Sequence, residues 1–277
     1  MDYKLVCIDM DGTLLNEKGQ ITDENESALK KAQEKGIIIA LTTGRLYGAA
    51  KAFNETIGMA GPVIASNGAC IGVPEDEEFI YKQTFNYKEV VDLYSCAKKY
   101  NLVIQFATIE GLLCNYTLPE THAYVQLNHT LPETSRLQIV EVEDYEEAFK
   151  TYDRHILKAI CMDKEGSGDL GKLREELNTL GHYEIVASWF DNIEIMPKGV
   201  SKGRGVERLA EYLNIPREAI ICIGDNENDL SMIQYAGMGI AMGNAVKDVL
   251  EVADDVTLTN NESGVAKAIE KYILNEV

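Results

Sequence analysis

The sequence has few basic residues and a large excess of acidic ones. Lysine and arginine number 26 against 45 aspartates and glutamates, so the 277 residues carry a formal net charge of −19 at pH 7. Such a chain repels nucleic-acid phosphates unless basic residues cluster, and no run of lysine or arginine is long enough to do so. Nucleic-acid binding is therefore not expected. A small anionic substrate is still compatible with this charge, because a metal ion or a helix N-terminus reverses the sign locally.

Long apolar runs and paired cysteine motifs are also missing. The longest apolar stretches, such as residues 37–41, are far shorter than the roughly 18 residues that cross a bilayer. No apolar segment of a signal peptide follows the first residues. None of the six cysteines forms a C-x-x-C pair, and Cys7 and Cys222 lie within apolar runs. We expect buried thiols in a cytoplasmic protein that has no membrane contact, with no disulfides and no zinc site.

The order of the predicted elements indicates an α/β fold. Short apolar strands alternate with helical segments in the first third of the chain and again in the last third. The strands are predicted at residues 5–8, 37–41, 62–65, 219–223 and 239–241. Strand–helix–strand units at this spacing are typical of a parallel sheet with crossover helices. We predict a Rossmann-like core with helices on both faces of a parallel sheet, formed by residues 1–84 and 190–277.

The middle of the chain, residues 85–189, has a different pattern. It contains all four histidines and most of the aromatic residues, and none of its predicted strands ends in aspartate. Its helices are predicted at residues 88–100 and 170–180, and its strands at residues 102–106, 156–161 and 183–187. We predict that this segment is an α+β cap domain inserted into the core.

Some residues of this middle segment have no pattern that indicates chemistry. The histidines are scattered without the spacing of metal ligands, which favours ordinary packing or surface positions, at residues 122, 129, 155 and 182. Trp189 and Phe190 stand beside Asp191, near the return to the core. A hinge contact or a wall of a substrate site is one interpretation of this aromatic pair, and simple packing is the favoured one.

Four polar segments lie where a strand ends or a helix begins. They are residues 9–13 (DMDGT), 42–45 (TTGR), 198–203 (KGVSKG) and 224–229 (GDNEND). Residues 42–45 are called the TTGR loop from here on. In an open parallel sheet, ligands bind beyond the carboxyl ends of the strands. We therefore expect these segments to meet in one crevice.

The acidic residues of these segments predict a metal site and a covalent mechanism. The carboxylates of Asp9, Asp11, Asp225 and Asp229 repel one another unless a cation lies among them, and hard oxygen ligands with room for water suit Mg²⁺. Asp9 and Asp11 are two positions apart on an irregular turn. One of them can face the substrate in line while the other reaches the leaving group, as covalent catalysis with a partner acid/base requires.

The other residues of the four segments predict a phosphate site. Thr43, Lys202 and Asn228 offer donors to phosphoryl oxygens, and backbone N–H groups around Met10 and Gly44 add more. A carboxylate that attacks a phosphate dianion is repelled by its charge. Mg²⁺ and Lys202 would make the attack feasible.

At these residues the sequence resembles the haloacid dehalogenase-like hydrolases, and among them the Cof-type phosphatases with a large inserted cap. The family motif D-x-D-G-T is matched at residues 9–13, its Ser/Thr by Thr43, its lysine by Lys202 and its G-D-x-x-N-D element at residues 224–229. Further stretches common in Cof-type members are matched at residues 66–69 (SNGA) and 241–245 (AMGNA).

The resemblance implies a role for each acidic residue. Asp9 would be the nucleophile and Asp11 the general acid/base. Mg²⁺ would be held by Asp9, the backbone carbonyl of Asp11 and Asp225, with Asp229 in support. The implied enzyme is a Mg²⁺-dependent phosphatase that hydrolyses a small phosphorylated metabolite, a sugar phosphate or a phosphorylated cofactor, through an aspartyl phosphate.

Two alternatives stay open at this point. A phosphotransferase or phosphomutase would pass the same aspartyl phosphate to another hydroxyl group. A metabolite-sensing protein would keep the fold without turnover, although the presence of Asp9, Asp11, Lys202 and Asp225 argues against this.

Overall fold

The computed structural model describes residues 2–73 and 78–276. In chain order, the strands are β1 (Leu5–Ile8), β2 (Ile38–Thr42), β3 (Val63–Ala65), β4 (Cys70–Gly72), β5 (Phe79–Lys82), β6 (Val103–Thr108), β7 (Gly111–Cys114), β8 (Gln138–Glu141), β9 (Ile156–Met162), β10 (Tyr183–Val186), β11 (Asn192–Pro197), β12 (Ile220–Gly224), β13 (Met238–Ala241) and β14 (Asp255–Val256). They form two separate sheets.

The helices are α1 (Asp23–Glu34), α2 (Tyr47–Thr56), α3 (Tyr87–Ala97), α4 (Ala123–Thr130), α5 (Tyr145–Thr151), α6 (Asp169–Leu180), α7 (Lys202–Leu213), α8 (Leu230–Tyr235), α9 (Lys247–Val252) and α10 (Gly264–Ile269). Short 3₁₀ turns lie at Ser66–Gly68, Glu133–Ser135, Arg217–Ala219, Glu227–Asp229 and Asn260–Glu262, and a π-helical turn follows α10 at Glu270–Leu274.

The core sheet has the order β14-β13-β12-β1-β2-β3-β4-β5. The six strands from β14 to β3 are parallel, and β4 and β5 extend one edge in antiparallel fashion. Alternate residues of β1 face opposite sides: Val6 and Ile8 share a hydrophobic core with α1 and α10, whereas Leu5 and Cys7 share one with α7 and α8. The predicted α/β core with helices on both faces is confirmed.

The cap sheet has the order β10-β11-β9-β6-β7-β8 and is mostly antiparallel. One of its faces packs against α3, α5 and α6 through residues such as Phe106, Phe149 and Leu173. The sheet lies between β5 and α7 in the chain, which is the inserted position that the sequence predicts.

The sequence-based boundary at residue 189 falls before the last cap strand. Residues 192–197 form β11, which pairs with β9 and β10, and Ile193 and Ile195 contribute to the cap core. Since the ladder and the packing both join β11 to the cap sheet, we propose that the cap ends near Pro197.

The expectations for cysteine, histidine and membrane contact are tested by burial and helix length. All six cysteines are buried and free, as predicted. Three histidines are exposed and His122 is half-buried, so the prediction of ordinary positions is confirmed. Among residues 2–73 and 78–276, no helix combines the length and the apolar character that a membrane span requires.

Candidate active site

The loops that follow the central strands of the core sheet lie side by side. β1 stands between β2 and β12 in parallel register. Asp9 follows β1, Thr43 follows β2 and Asp225 follows β12, so all three lie at the same edge of the sheet. Lys202 begins α7 and reaches the same place, and the Ser201 side chain caps that helix by accepting from the backbone N–H of Arg204.

Three buried carboxylates form the floor of this site. Asp9, Asp225 and Asp229 each place an oxygen within 4.8 Å of the others. The Lys202 Nζ has no exposed surface and donates to Asp9 Oδ1 at 2.5 Å and to Asp229 Oδ1 at 2.6 Å. One ammonium group therefore faces a cluster of three acids.

The charges in this cluster are not balanced by the protein. Burial, together with the nearby Asp229 carboxylate, raises the pKa of Asp9 well above its usual range. The same two causes raise the pKa of Asp225 to about 7. Several carboxylate oxygens that repel one another in a buried place are a donor set that fits a hard divalent cation.

Asp229 also shapes the loop that carries Asp225. Its Oδ2 accepts from the backbone N–H groups of Asp225 and Asn226 at 2.9 and 3.0 Å. The Thr13 hydroxyl donates to Asp225 Oδ1 at 2.6 Å and fixes the orientation of that carboxylate. Much of the hydrogen-bonding capacity of Asp229 is thus used within the protein.

Gly12 permits the close approach of the first motif to Asp225. Its φ is +85°, and a Cβ atom would lie 2.5 Å from Asp225 Oδ2. Gly19 has a similar φ of +69°, with nothing within 4 Å of its position. Substitution of each glycine in turn therefore separates the cost of the left-handed backbone from the cost of crowding Asp225.

Gly12→Ala should lower the free energy of unfolding more than Gly19→Ala does. The left-handed conformation should cost roughly 1–2 kcal/mol in either variant. Crowding against Asp225 should add roughly 1–3 kcal/mol in Gly12→Ala alone. Urea unfolding of the two variants measures the difference, and equal losses would contradict the crowding of Asp225.

Asp11 lies outside the buried cluster. Its carboxylate is 59% exposed and accepts from Arg45 Nε at 2.8 Å and from Arg45 Nη2 at 2.6 Å. Sequence reasoning gave Arg45 no role, although it belongs to the TTGR loop. The Asp11 side chain therefore lies in the wall of the site, beside Arg45, and apart from the buried carboxylates.

A cavity of 330 Å³ lies above the acidic floor, between the two sheets. The core contributes Asp9, Asp11, Thr43, Gly44, Arg45, Asn226 and Asn228 to its wall, and the cap contributes Tyr124, Lys158, Ile160, Ser188, Trp189 and Glu194. The lining is mainly polar on the core side and mixed on the cap side.

Apart from Lys202, which is buried among the carboxylates and does not line the cavity, the predicted phosphate-binding residues fall into two groups. Thr43, Gly44 and Asn228 line the cavity. The Thr43 hydroxyl accepts from the backbone N–H of Arg45 at 3.1 Å, and Asn228 Nδ2 donates to Asn67 Oδ1 at 3.2 Å. The side chain of Met10 is buried in the core, so its backbone is the part that could serve a phosphate.

The packing interpretation of Trp189 and Phe190 is wrong. These side chains are 59% and 87% exposed, because they lie in the turn between β10 and β11, beyond the sheet that could cover them. Trp189 lines the cavity. It is therefore available to contact a bound molecule.

Sequence reasoning missed two buried charges of the cap. Lys158 on β9 and Glu194 on β11 form an ion pair of 2.8 Å, with side chains 2% and 7% exposed. Each is a single charge within an apolar strand, at residues 156–161 and 193–196. That pattern was the available signal, since a charge inside an apolar run is rarely buried without a partner.

Comparison with known proteins shows which family this sequence and this fold resemble. A model of the family described as haloacid dehalogenase-like hydrolase matches residues 6–269. Phosphatase YwpJ of Bacillus subtilis is 34% identical over 98% of this chain and 100% of its own length. The B. subtilis protein named 5-amino-6-(5-phospho-D-ribitylamino)uracil phosphatase YcsE is 30% identical over 99% of this chain and 97% of its own. A solved B. subtilis haloacid dehalogenase-like hydrolase has a TM-score of 0.85 at 31% identity, covering 98% of this chain and 99% of that one.

Proposed function

Because the chain belongs to the haloacid dehalogenase-like hydrolases and is a phosphoric monoester hydrolase, we propose that it uses Mg²⁺ and a phosphorylated Asp9. The observation that carries the proposal is the floor of the cavity, where the Asp9 carboxylate is buried beside Lys202 and two further acids. A buried carboxylate beside a cation and at the base of a cavity is suited to act as a nucleophile. The substrate is a small phosphorylated metabolite.

The mechanism assigns separate tasks to the residues. Asp9 attacks phosphorus, while Lys202 offsets part of the negative charge that gathers there. Asp11 protonates the leaving oxygen and then takes a proton from the water that hydrolyses the aspartyl phosphate. Thr43, Asn228 and the backbone N–H groups near Met10 and Gly44 hold the phosphoryl oxygens.

The donor set for the cation would be Asp9, Asp225 and the backbone carbonyl of Asp11, with Asp229 in support. When bound, Mg²⁺ would offset the charges of the nucleophile and the phosphoryl group. The raised pKa values of Asp9 and Asp225 support this assignment, because burial and the neighbouring carboxylate both make it costly to ionise these groups without a cation.

The cavity supports a metabolite with a polar chain and a flat or apolar part. Its 330 Å³ suit a small molecule, and Trp189 and Tyr124 offer aromatic surface beside the polar wall. The name of the YcsE relative describes a phosphorylated ribityl chain on a uracil ring. A sugar phosphate or a phosphorylated cofactor likewise combines a phosphate ester with a polar chain or a ring.

The experiment is phosphate release from a panel of phosphorylated metabolites. Hydrolysis gives free phosphate, whereas a phosphotransferase or mutase gives a new ester with an added acceptor. A metabolite sensor gives neither product. Failure to release phosphate from any ester in the presence of Mg²⁺ would contradict the proposed function.

Turnover should depend on which divalent cation is present. Chelation should stop phosphate release and added Mg²⁺ should restore it. With Ca²⁺ the rate should be at least about tenfold lower, because the larger and looser shell of Ca²⁺ misplaces an in-line attack. Initial rates at matched free metal concentrations measure the ratio.

A thermal melt provides the control for metal binding. Both cations should raise the melting temperature, since ligands that bind only the folded state stabilise it. Loss of stabilisation by Mg²⁺ in Asp225→Asn would place the cation at the buried acids. Unchanged turnover in excess chelator, or equal rates with both cations, would contradict the metal assignment.

A further inference from the structure

We propose that Lys158 and Glu194 of the cap are positioning residues for phosphoryl transfer, because they hold the TTGR loop and Asn228 of the core in place. The inference rests on the proposed function. It assigns the cap a task beyond forming part of the cavity wall, since the phosphate-binding geometry of the core would be complete only with the ion pair of the cap in contact with it.

The ion pair reaches the core at two points. Lys158 Nζ donates to the backbone carbonyl of Gly44 at 2.5 Å and pairs with Glu194 Oε1 at 2.8 Å. The other oxygen of Glu194 accepts from Asn67 Nδ2. Asn67 Oδ1 in turn accepts from Asn228 Nδ2 at 3.2 Å. A continuous polar chain therefore runs from the cap to two predicted phosphate-binding elements.

The backbone of the core supports the same chain. Asn67 has a left-handed conformation, with a φ of 55°, and its N–H donates to the carbonyl of Thr43 at 3.0 Å. This conformation is uncommon outside glycine, and asparagine is one of the few other residues that adopt it. Asn67 is thus tied to the TTGR loop by its backbone and to the cap by its side chain.

Gly44 shows how closely the cap approaches. A Cβ atom at this position would lie 3.1 Å from Asn67 Oδ1 and 3.1 Å from Glu194 Oε2. The cap carboxylate and the core amide therefore pack directly on the loop. A shift of either group would move the loop with it.

Stability alone is a weak reason for this arrangement. Two charges that are almost fully buried lose their hydration, and a well-packed apolar pair is often as stable as a buried ion pair. The two charged side chains make hydrogen bonds to Gly44 and Asn67, which apolar side chains could not make.

The test compares the wild type with Glu194→Gln, Lys158→Met and the double variant. In the double variant neither charge is left unpaired, so its fold should be retained even where a single variant melts early. Lys98→Met is the control. Lys98 follows α3 and pairs with Glu146 of α5 at 2.6 Å, in a contact within the cap whose side chains are 46% and 47% exposed and which lines no part of the cavity.

Two quantities should change in the variants. The value of kcat should fall about 10- to 100-fold, by the same factor for an aryl phosphate, glycerol phosphate and a hexose phosphate, because a misplaced loop affects every ester. The inhibition constant of inorganic phosphate should rise about tenfold, as expected when one hydrogen bond to an anion is impaired. The double variant should lose no more than the worse single variant, since both residues act through one chain of contacts.

Lys98→Met should change both quantities less than about threefold, because its contact is about half-exposed and lies outside the cavity. An unchanged inhibition constant, with losses that differ among the esters, would show that the pair contacts the leaving group and would overturn the proposal. Lower melting temperatures with unchanged kinetics would also overturn it. The wild type tests the proposed function by itself: if it hydrolyses no ester, the phosphatase assignment fails before any variant is compared.

Discussion

Asp9→Asn should lower kcat by about 10³-fold or more, because the amide keeps the shape of the side chain but cannot attack phosphorus. The buried position of Asp9 leaves little room for a replacement nucleophile, and its Oδ1 is the oxygen that Lys202 holds. Asp153→Asn, a change at an exposed position, should leave kcat unchanged. Steady-state rates with an aryl phosphate and matched melting curves measure both variants.

A near-normal rate in Asp9→Asn would show that water attacks phosphorus directly and that no aspartyl phosphate is needed. The metal prediction would survive that result, whereas the covalent mechanism would not.

Asp11→Asn should slow the hydrolysis of an alkyl phosphate by about 10²–10⁴-fold, the usual contribution of general acid–base catalysis. An alkoxide is a very basic leaving group, so its departure requires the acid that the amide cannot supply. The amide oxygen of the substituted side chain can still accept one hydrogen bond from Arg45, which keeps the local geometry close to that of the wild type.

An aryl phosphate should reveal the second task of Asp11. An aryl leaving group needs little acid assistance, so Asp9 should still be phosphorylated. Hydrolysis of the intermediate would then lack its base. Rapid mixing should give a burst of phenol near one equivalent per enzyme, together with a phosphorylated Asp9 by mass spectrometry. Slow turnover with neither burst nor adduct would remove the support for this second task.

The sequence predicts the acidic floor of the site because simple rules apply there. The apolar runs before Asp9, Thr43 and Asp225 are strands, and parallel strands place the residues that follow them at a common edge. The helix that begins at Lys202 is equally clear from its cap, Ser201. Local patterns of this kind depend little on distant parts of the chain.

The cap side of the cavity depends on register and on contacts between distant segments. Lys158 and Glu194 become neighbours only when β9 and β11 pair in the observed register. Arg45 and Asp11 meet only after β1 and β2 align. Trp189 is exposed because it lies in the turn between β10 and β11. No periodic pattern in the sequence indicates where that turn falls. Pairings of this kind are fixed by the folded sheet and not by the residues alone.

The stereochemistry at phosphorus tests covalent catalysis by Asp9 most directly. A phosphate ester made chiral at phosphorus with oxygen isotopes is hydrolysed in isotopically labelled water, and the configuration of the released phosphate is determined. Each in-line displacement inverts the configuration. Attack by Asp9 followed by attack of water should therefore give overall retention, whereas inversion would show a single displacement by water and contradict the aspartyl phosphate.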